Sequence, residues 1–160
     1  MALTTAQLTT LKNYILTVPE WAALPLTGDA ADFIAQQLKT PATPAFTVWK
    51  SAVNLEETGK AFNGAEWAGM TGANHTRLQT LAQYLSAYNP ALPDIRAMFN
   101  DIWGGAGGAL TRAALLALWK RPANKLEKLF ATGPGSDASP ATLVVEGFVS
   151  YQEVEAARAL

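Results

Sequence analysis

Residues 129–154 read "LFATGPGSDASPATLVVEGFVSYQEV" and interrupt a chain that indicates helix over most of its length. The turn-rich loop "ATGPGSDASPA" is followed by "TLVVEGFV", a β-branched run with Gly147 near its centre. This composition predicts a short strand or a two-stranded ribbon. An isolated ribbon is marginal in water, so it must either lie on the helical body or pair with another chain.

The chain before this stretch carries repeated helical signals. Thr4 and Gln7 have the spacing of a capping box and open a first helix that ends before Pro19. Other helices are expected from apolar spacing or N-cap signals at Asp29 to Leu38, Phe46 to Val53 (a short helix or one turn), Asn54 to Glu57, Asn74 to Tyr88, Pro93 to Trp103, and Thr111 to Phe130 with a kink or break at Pro122. The predicted class is mainly α, a bundle of about five or six helices with a C-terminal arm that carries the short strand or ribbon.

Two parts are expected along the chain. Residues 1–131 form a helical domain, and residues 132–160 form an arm with a loop, the ribbon and a short helix that starts at the Ser150 and Glu153 capping box. Alternation along the ribbon gives it one apolar face for a partner chain. The candidate partner-binding residues are Leu143, Val145 and Phe148, or their alternates Val144 and Val149, together with Tyr151.

Composition narrows the classes of function. Hydrophobic residues make up 49% of the 160-residue chain, which is enough for a sizeable core. Charged residues make up only 16% and the net charge is -1, so long-range attraction to nucleic acid or to an anionic membrane is not expected. The absence of cysteine excludes disulfides, thiolate metal sites and a cysteine nucleophile. No secretory signal and no run of ~18 apolar residues is present, so we expect a soluble protein.

The sequence contains no set of residues typical of an active site. His75 is the only histidine, and with no cysteine a zinc site around it would need three carboxylates. The glycine-rich segments "GGAGG" and "ATGPGSD" lack the order of a phosphate-binding loop. The carboxylate pairs Glu56 with Glu57 and Asp94 with Asp101 lack an adjacent catalytic or metal pattern. We therefore expect no enzymatic activity, no cofactor and no metal.

One local excess of positive charge lies near the end of the last long predicted helix. Only Glu127 opposes it within the segment. Such a strip can contact DNA phosphates, or it can be a solvated helix face that pairs with the acidic C-terminal part. The residues of this basic strip are Arg112, Lys120, Arg121, Lys125 and Lys128.

Several strings of this sequence resemble a group of small virion proteins of tailed bacteriophages. The resemblance is carried by "EKLFATG" and "SYQEVEAARAL" near the C-terminus, and by the earlier strings "TTAQLTTLKNYIL", "FTVWKSAV" and "NHTRLQTL". It spans most of the chain. It implies a structural protein of the virion, of the head-tail adaptor (connector, or head-completion) type that sits below the portal.

The resemblance also implies the partners and the location. Adaptors of this kind are helical homo-oligomers that form rings, commonly of twelve copies, and insert a terminal arm into the portal or a neighbouring subunit. Portal protein, tail proteins and packaged DNA are the implied contacts, without a membrane. The implied location is the head-tail interface of the virion, with the host cytoplasm during assembly. Two alternatives stay open: another virion role, as a capsid-surface or tail component, and a small DNA-binding regulatory protein.

Overall fold

A computed structural model describes residues 2–160, and helix accounts for 57% of it, which confirms the mainly α class. Its ten helices are α1 (Thr5–Thr17), α2 (Pro19–Ala22), α3 (Gly28–Lys39), α4 (Leu55–Lys60), α5 (Gly64–Ala68), α6 (Gly72–Tyr84), α7 (Pro93–Ile102), α8 (Ala109–Leu118), α9 (Lys125–Phe130) and α10 (Tyr151–Ala159). Its strands are β1 (Thr47–Trp49), β2 (Val53–Asn54), β3 (Ala87–Tyr88) and β4 (Lys120–Pro122). β1 pairs with β4, and β2 pairs antiparallel with β3.

The local signals at helix starts are confirmed. Thr4 and Gln7 form a capping box before α1, and Ser150 and Glu153 form one before α10. In such a box the side chain of each residue accepts a hydrogen bond from the backbone N–H of the other. The start of the helix therefore needs no distant contact. Helical structure is interrupted near Pro122 as predicted, because α8 ends at Leu118 and α9 begins only at Lys125.

The chain forms two units. Unit 1 consists of two segments, the chain up to Val48 and Pro122–Leu160. Unit 2 is Trp49–Arg121. In unit 1, α10 packs on α1 and α3. Buried side chains of its main core are Leu11, Ile15, Trp21, Ala31, Ile34, Ala35, Leu38, Leu126, Val145, Val149, Val154 and Ala157.

A buried carboxylate joins α9 to the C-terminal segment within unit 1. Glu127 is 2% exposed, and its two oxygens accept hydrogen bonds from the backbone N–H groups of Asn124 and Gly147, each at 3.1 Å. The Asn124 side chain caps α9 and also donates to the Gly147 carbonyl oxygen at 3.0 Å. Gly147 has φ +94°, a region that favours glycine, so the residue type suits this position.

Unit 2 has a separate core with a polar centre. Its buried side chains are Val53, Leu78, Tyr88, Phe99, Ile102, Trp103, Leu115 and Trp119. The Tyr88 hydroxyl lies 2.7 Å from the Thr58 hydroxyl and accepts a hydrogen bond from Trp119 Nε1 at 2.9 Å. Burial raises the pKa of Tyr88, although these hydrogen bonds oppose the shift. The hydroxyl therefore stays neutral and satisfied inside an aromatic cluster.

Glu66 of α5 caps a neighbouring helix in unit 2. Its carboxylate accepts hydrogen bonds from the backbone N–H groups of Leu110 and Thr111, at 2.8 and 2.7 Å, in the first turn of α8. Desolvation would raise the pKa of Glu66, but the Thr111 and Leu110 hydrogen bonds and the charge of Arg112 together lower it. A carboxylate at this end of the helix is favourable because the free N–H groups carry partial positive charge.

Several sequence expectations differ from the structure in detail. The helix expected at Phe46 to Val53 is instead β1, which pairs with β4, because strand pairing outweighs a three-and-four spacing this short. The bundle has ten helices in the described residues rather than five or six, since glycine and proline divide the chain often. Residues 143–149 contain no strand, although just before them Thr142 forms an antiparallel bridge with Thr132 and Ala141 a parallel one with Val48.

The expected division into 1–131 and 132–160 differs from the observed units. Residues 132–160 belong to unit 1, and Val145, Val149 and Val154 lie in its core. Their burial explains the difference, because apolar side chains separated by four or five residues lose more water-exposed area against α1, α3 and α9 than in a free arm.

Replacement of Glu127 by alanine should destabilise unit 1. The change leaves the Gly147 N–H and the Asn124 N–H without their buried acceptor, which we expect to lower the free energy of unfolding by about 3 kcal/mol. Chemical denaturation followed by circular dichroism measures this. Glu20→Ala is the control because Glu20 is exposed, and its effect should stay within about 0.5 kcal/mol. Equal effects of the two changes would contradict the role assigned to Glu127.

Glu66 should make unit 2 sensitive to acid. Because its pKa in the folded protein is lowered, its stabilising effect is full above the ordinary value of 4.5 and is lost as pH falls through the lowered pKa. Glu66→Gln should therefore reduce the loss of stability between pH 7 and pH 3, measured by denaturation at each pH. The control Glu56→Gln removes an exposed carboxylate that pairs with Lys60. A pH dependence unchanged by Glu66→Gln would show that this helix cap does not contribute.

Candidate partner-binding surface

The C-terminal segment divides its apolar side chains between the core and the surface. Val145 is 1% exposed and Val149 is 3% exposed, whereas Val144 and Phe148 are 61% and 62% exposed. Each exposed residue directly precedes a buried one. The segment is therefore held by two valines and displays two other apolar side chains to solvent.

The predicted partner-binding residues are thus separated by their environments. Leu143 is partly buried against a small cluster of Val48, Ala123 and Ala141 in unit 1. Tyr151, at the first position of α10, is 44% exposed. Neither alternating face proposed for a ribbon is buried as a set, because the segment is not extended into a strand. The residues that remain available to a partner are Val144, Phe148 and Tyr151, and we refer to them as the apolar triad.

Phe148 has a neighbour that the sequence did not indicate. The ammonium group of Lys39, the last residue of α3, lies 5.6 Å from the centroid of the Phe148 ring. A cation over an aromatic face is attracted to it and limits the rotation of both side chains. No local signal could have identified Lys39, because the contact joins segments that are far apart in sequence.

The basic strip does not form one helix face. Arg112 lies in α8 and Lys120 and Arg121 lie in β4, all in unit 2, whereas Lys125 and Lys128 lie in α9 of unit 1. The helix expected over Thr111 to Phe130 is divided, because the chain leaves helical structure between α8 and α9.

Two cations of the basic strip are engaged with backbone carbonyl groups. Arg112 Nη1 donates to the carbonyl oxygens of Trp103 and Gly105, and so binds the C-terminal end of α7. Lys128 Nζ donates to the carbonyl oxygens of Thr43 and Pro44, at 3.3 and 3.2 Å. Both side chains therefore have roles within their own unit.

The other possibilities considered from the sequence are a site at His75, a metal site and a membrane-spanning helix. The His75 ring lies edge-on to Trp67, with ring centroids 4.7 Å apart. In the part of the chain that the structure describes, no group of three or more histidine or acidic side chains is arranged to hold a metal ion. Over the same residues, no helix combines the length and apolarity needed to span a bilayer.

Comparisons of this chain with protein-family models, with curated proteins and with solved structures returned no match.

Replacement of Val145 and of Val144 by alanine should affect stability differently, because Val145 is buried and Val144 is exposed. Val145→Ala creates a cavity in the unit 1 core and should lower the free energy of unfolding by about 2 kcal/mol. Val144→Ala removes the same atoms from a site open to solvent and should change it by less than about 0.5 kcal/mol. Denaturant titration of both variants measures the difference, and similar values would place both side chains in similar environments.

Proposed function

We propose that the protein is a non-enzymatic structural protein of a tailed-phage virion. In this role it acts as a head-tail adaptor that assembles as a ring between the portal and the tail. The support from the sequence is the resemblance of "EKLFATG", "SYQEVEAARAL" and the earlier strings to small virion proteins. The chemical support is the low content of charged residues, because the centres of protein interfaces are depleted in charge.

The observation that carries the proposal is the exposure of the apolar triad. Val144 and Phe148 project from a segment whose backbone is fixed by the buried Glu127 and by two buried valines. Exposed apolar side chains on a fixed backbone suit a protein contact, since less conformational entropy is lost on binding than from a free arm. In this form of the proposal the partner, portal or tail protein, binds to unit 1 at the folded segment.

The alternative of a DNA-binding regulator has weaker support. Two of the five cations in its proposed strip, Arg112 and Lys128, donate to carbonyl groups of their own unit. A salt-dependent gel shift that disappears on charge reversal at Lys125 and Lys128 would favour DNA binding over the adaptor.

The adaptor proposal is tested by a double change in the apolar triad. Val144→Asp with Phe148→Asp places two charges where the partner would exclude water, so binding to the cognate portal protein should weaken by about 100-fold or more. Portal binding and ring formation are measured by light scattering and by titration calorimetry. Point changes are preferred to removal of the tail, because a truncated chain would lose Val145, Val149 and α10 from the core.

Leu26→Asp provides the control, because Leu26 is a 78% exposed leucine of unit 1 that lies outside the segment. The control should bind portal as the unmodified protein does, and circular dichroism should show that both variants fold. Unmodified protein that binds neither portal nor tail protein would overturn the adaptor role. Localisation elsewhere in the particle by electron microscopy would then indicate a capsid-surface or tail component.

A further inference from the structure

Helix α8 presents an apolar face that no other part of unit 2 covers. Its exposed positions are Ala109, Leu110, Ala113, Leu116 and Ala117, with Leu110 63% and Leu116 39% exposed. At ~100° per residue these positions share an arc of about 120°, with the leucines at its edges and the alanines between them. A helix face of this form fits a groove, because small central residues allow close approach and large lateral residues fill the sides.

The same unit contains a groove between α6 and α7. The groove has a volume of about 580 Å³ and is open to solvent along its length. Its apolar lining includes Leu81, Met98 and Ile102. The charged lining consists of Asp94 and Asp101 on α7 and Arg77 on α6. The two carboxylates are seven residues apart, about two helical turns, and so border the groove near both ends of α7.

The charges of the α8 segment and of the groove are complementary. Helix α8 carries one basic residue, Arg112, and no acidic one. The groove has two carboxylates against one guanidinium. This attraction acts over a Debye length of about 10 Å, so it does not require that Arg112 give up its hydrogen bonds to backbone carbonyl groups.

We infer that α8 of one copy docks in the α6–α7 groove of a second copy. One contact of this kind fills the groove of one copy and covers the α8 of the other, and leaves a groove and a helix face at the two ends of the pair. Repetition therefore builds a chain of copies, which closes into a ring when the rotation between neighbours allows it. The inference rests on the proposed function, to which it adds the surface through which copies associate.

The test uses one change on each face. Ala113→Glu puts a charge in the middle of the exposed α8 face, and Ala97→Glu puts one on α7 within the groove lining. Both alanines are exposed helix residues and glutamate is a good helix former, so both variants should fold. The two introduced charges have the same sign and cannot compensate for each other. Each change should raise the concentration for half-assembly by about tenfold or more.

Mixing the two variants distinguishes this contact from every symmetric one. Ala113→Glu protein keeps an intact groove, and Ala97→Glu protein keeps an intact α8 face. An equimolar mixture should therefore form a complex with the mass of two chains and no larger species, as measured by light scattering. Leu26→Glu is the control and should assemble like the unmodified protein, since Leu26 lies in unit 1 and outside both faces.

The outcomes separate this inference from the proposed function. Three results would each overturn the contact between α8 and the groove. Either variant could assemble at the same concentration as the unmodified protein, the mixture could stay monomeric, or the unmodified protein could fail to self-associate at all. The first two results leave portal binding through the apolar triad intact. If the unmodified protein does not bind portal, the adaptor role is overturned. A complex of two chains in the mixture would still establish the contact between α8 and the groove.

Discussion

The fold of unit 1 depends on satisfaction of the buried Glu127 carboxylate. An acidic group out of water is costly unless it is hydrogen-bonded, and here the N–H groups of Asn124 and Gly147 supply bonds. One bond lies within the α9 capping box and the other comes from the C-terminal segment, so this one carboxylate links α9 to the segment. The same segment contributes Val145 and Val149 to the core that residues of α1 and α3 also form.

Closure of this core also ties the two ends of the chain together. Glu153, which caps α10, accepts a hydrogen bond from the Leu3 N–H at 2.9 Å as well as from Ser150. Arg158 near the end of α10 donates to the carbonyl oxygens of Leu24 and Pro25. The C-terminal residues are therefore part of the body of unit 1, and the apolar triad lies on its folded surface.

Sequence reasoning succeeded where the determining contacts are local. The capping boxes at Thr4 and Ser150 span three residues, so their pattern is complete in the sequence itself. It failed where the contacts are distant. Gly147 reads as the centre of a ribbon until Glu127 is known to accept its N–H, and Thr47–Trp49 reads as helix until β4 is known to pair with it. The exposure of Val144 beside the buried Val145 follows from these distant contacts. The alternating faces expected for a ribbon therefore did not predict which side chains are exposed.

The two proposed surfaces lie in different units of the chain. Unit 2 is inserted into unit 1, since the chain leaves unit 1 after Val48 and re-enters it at Pro122. Each unit has its own buried core, so a change on the surface of one need not disturb the packing of the other. The apolar triad belongs to unit 1, whereas α8 and the α6–α7 groove belong to unit 2. The proposed self-association and the proposed partner contact therefore use residues of different units, each supported by its own core.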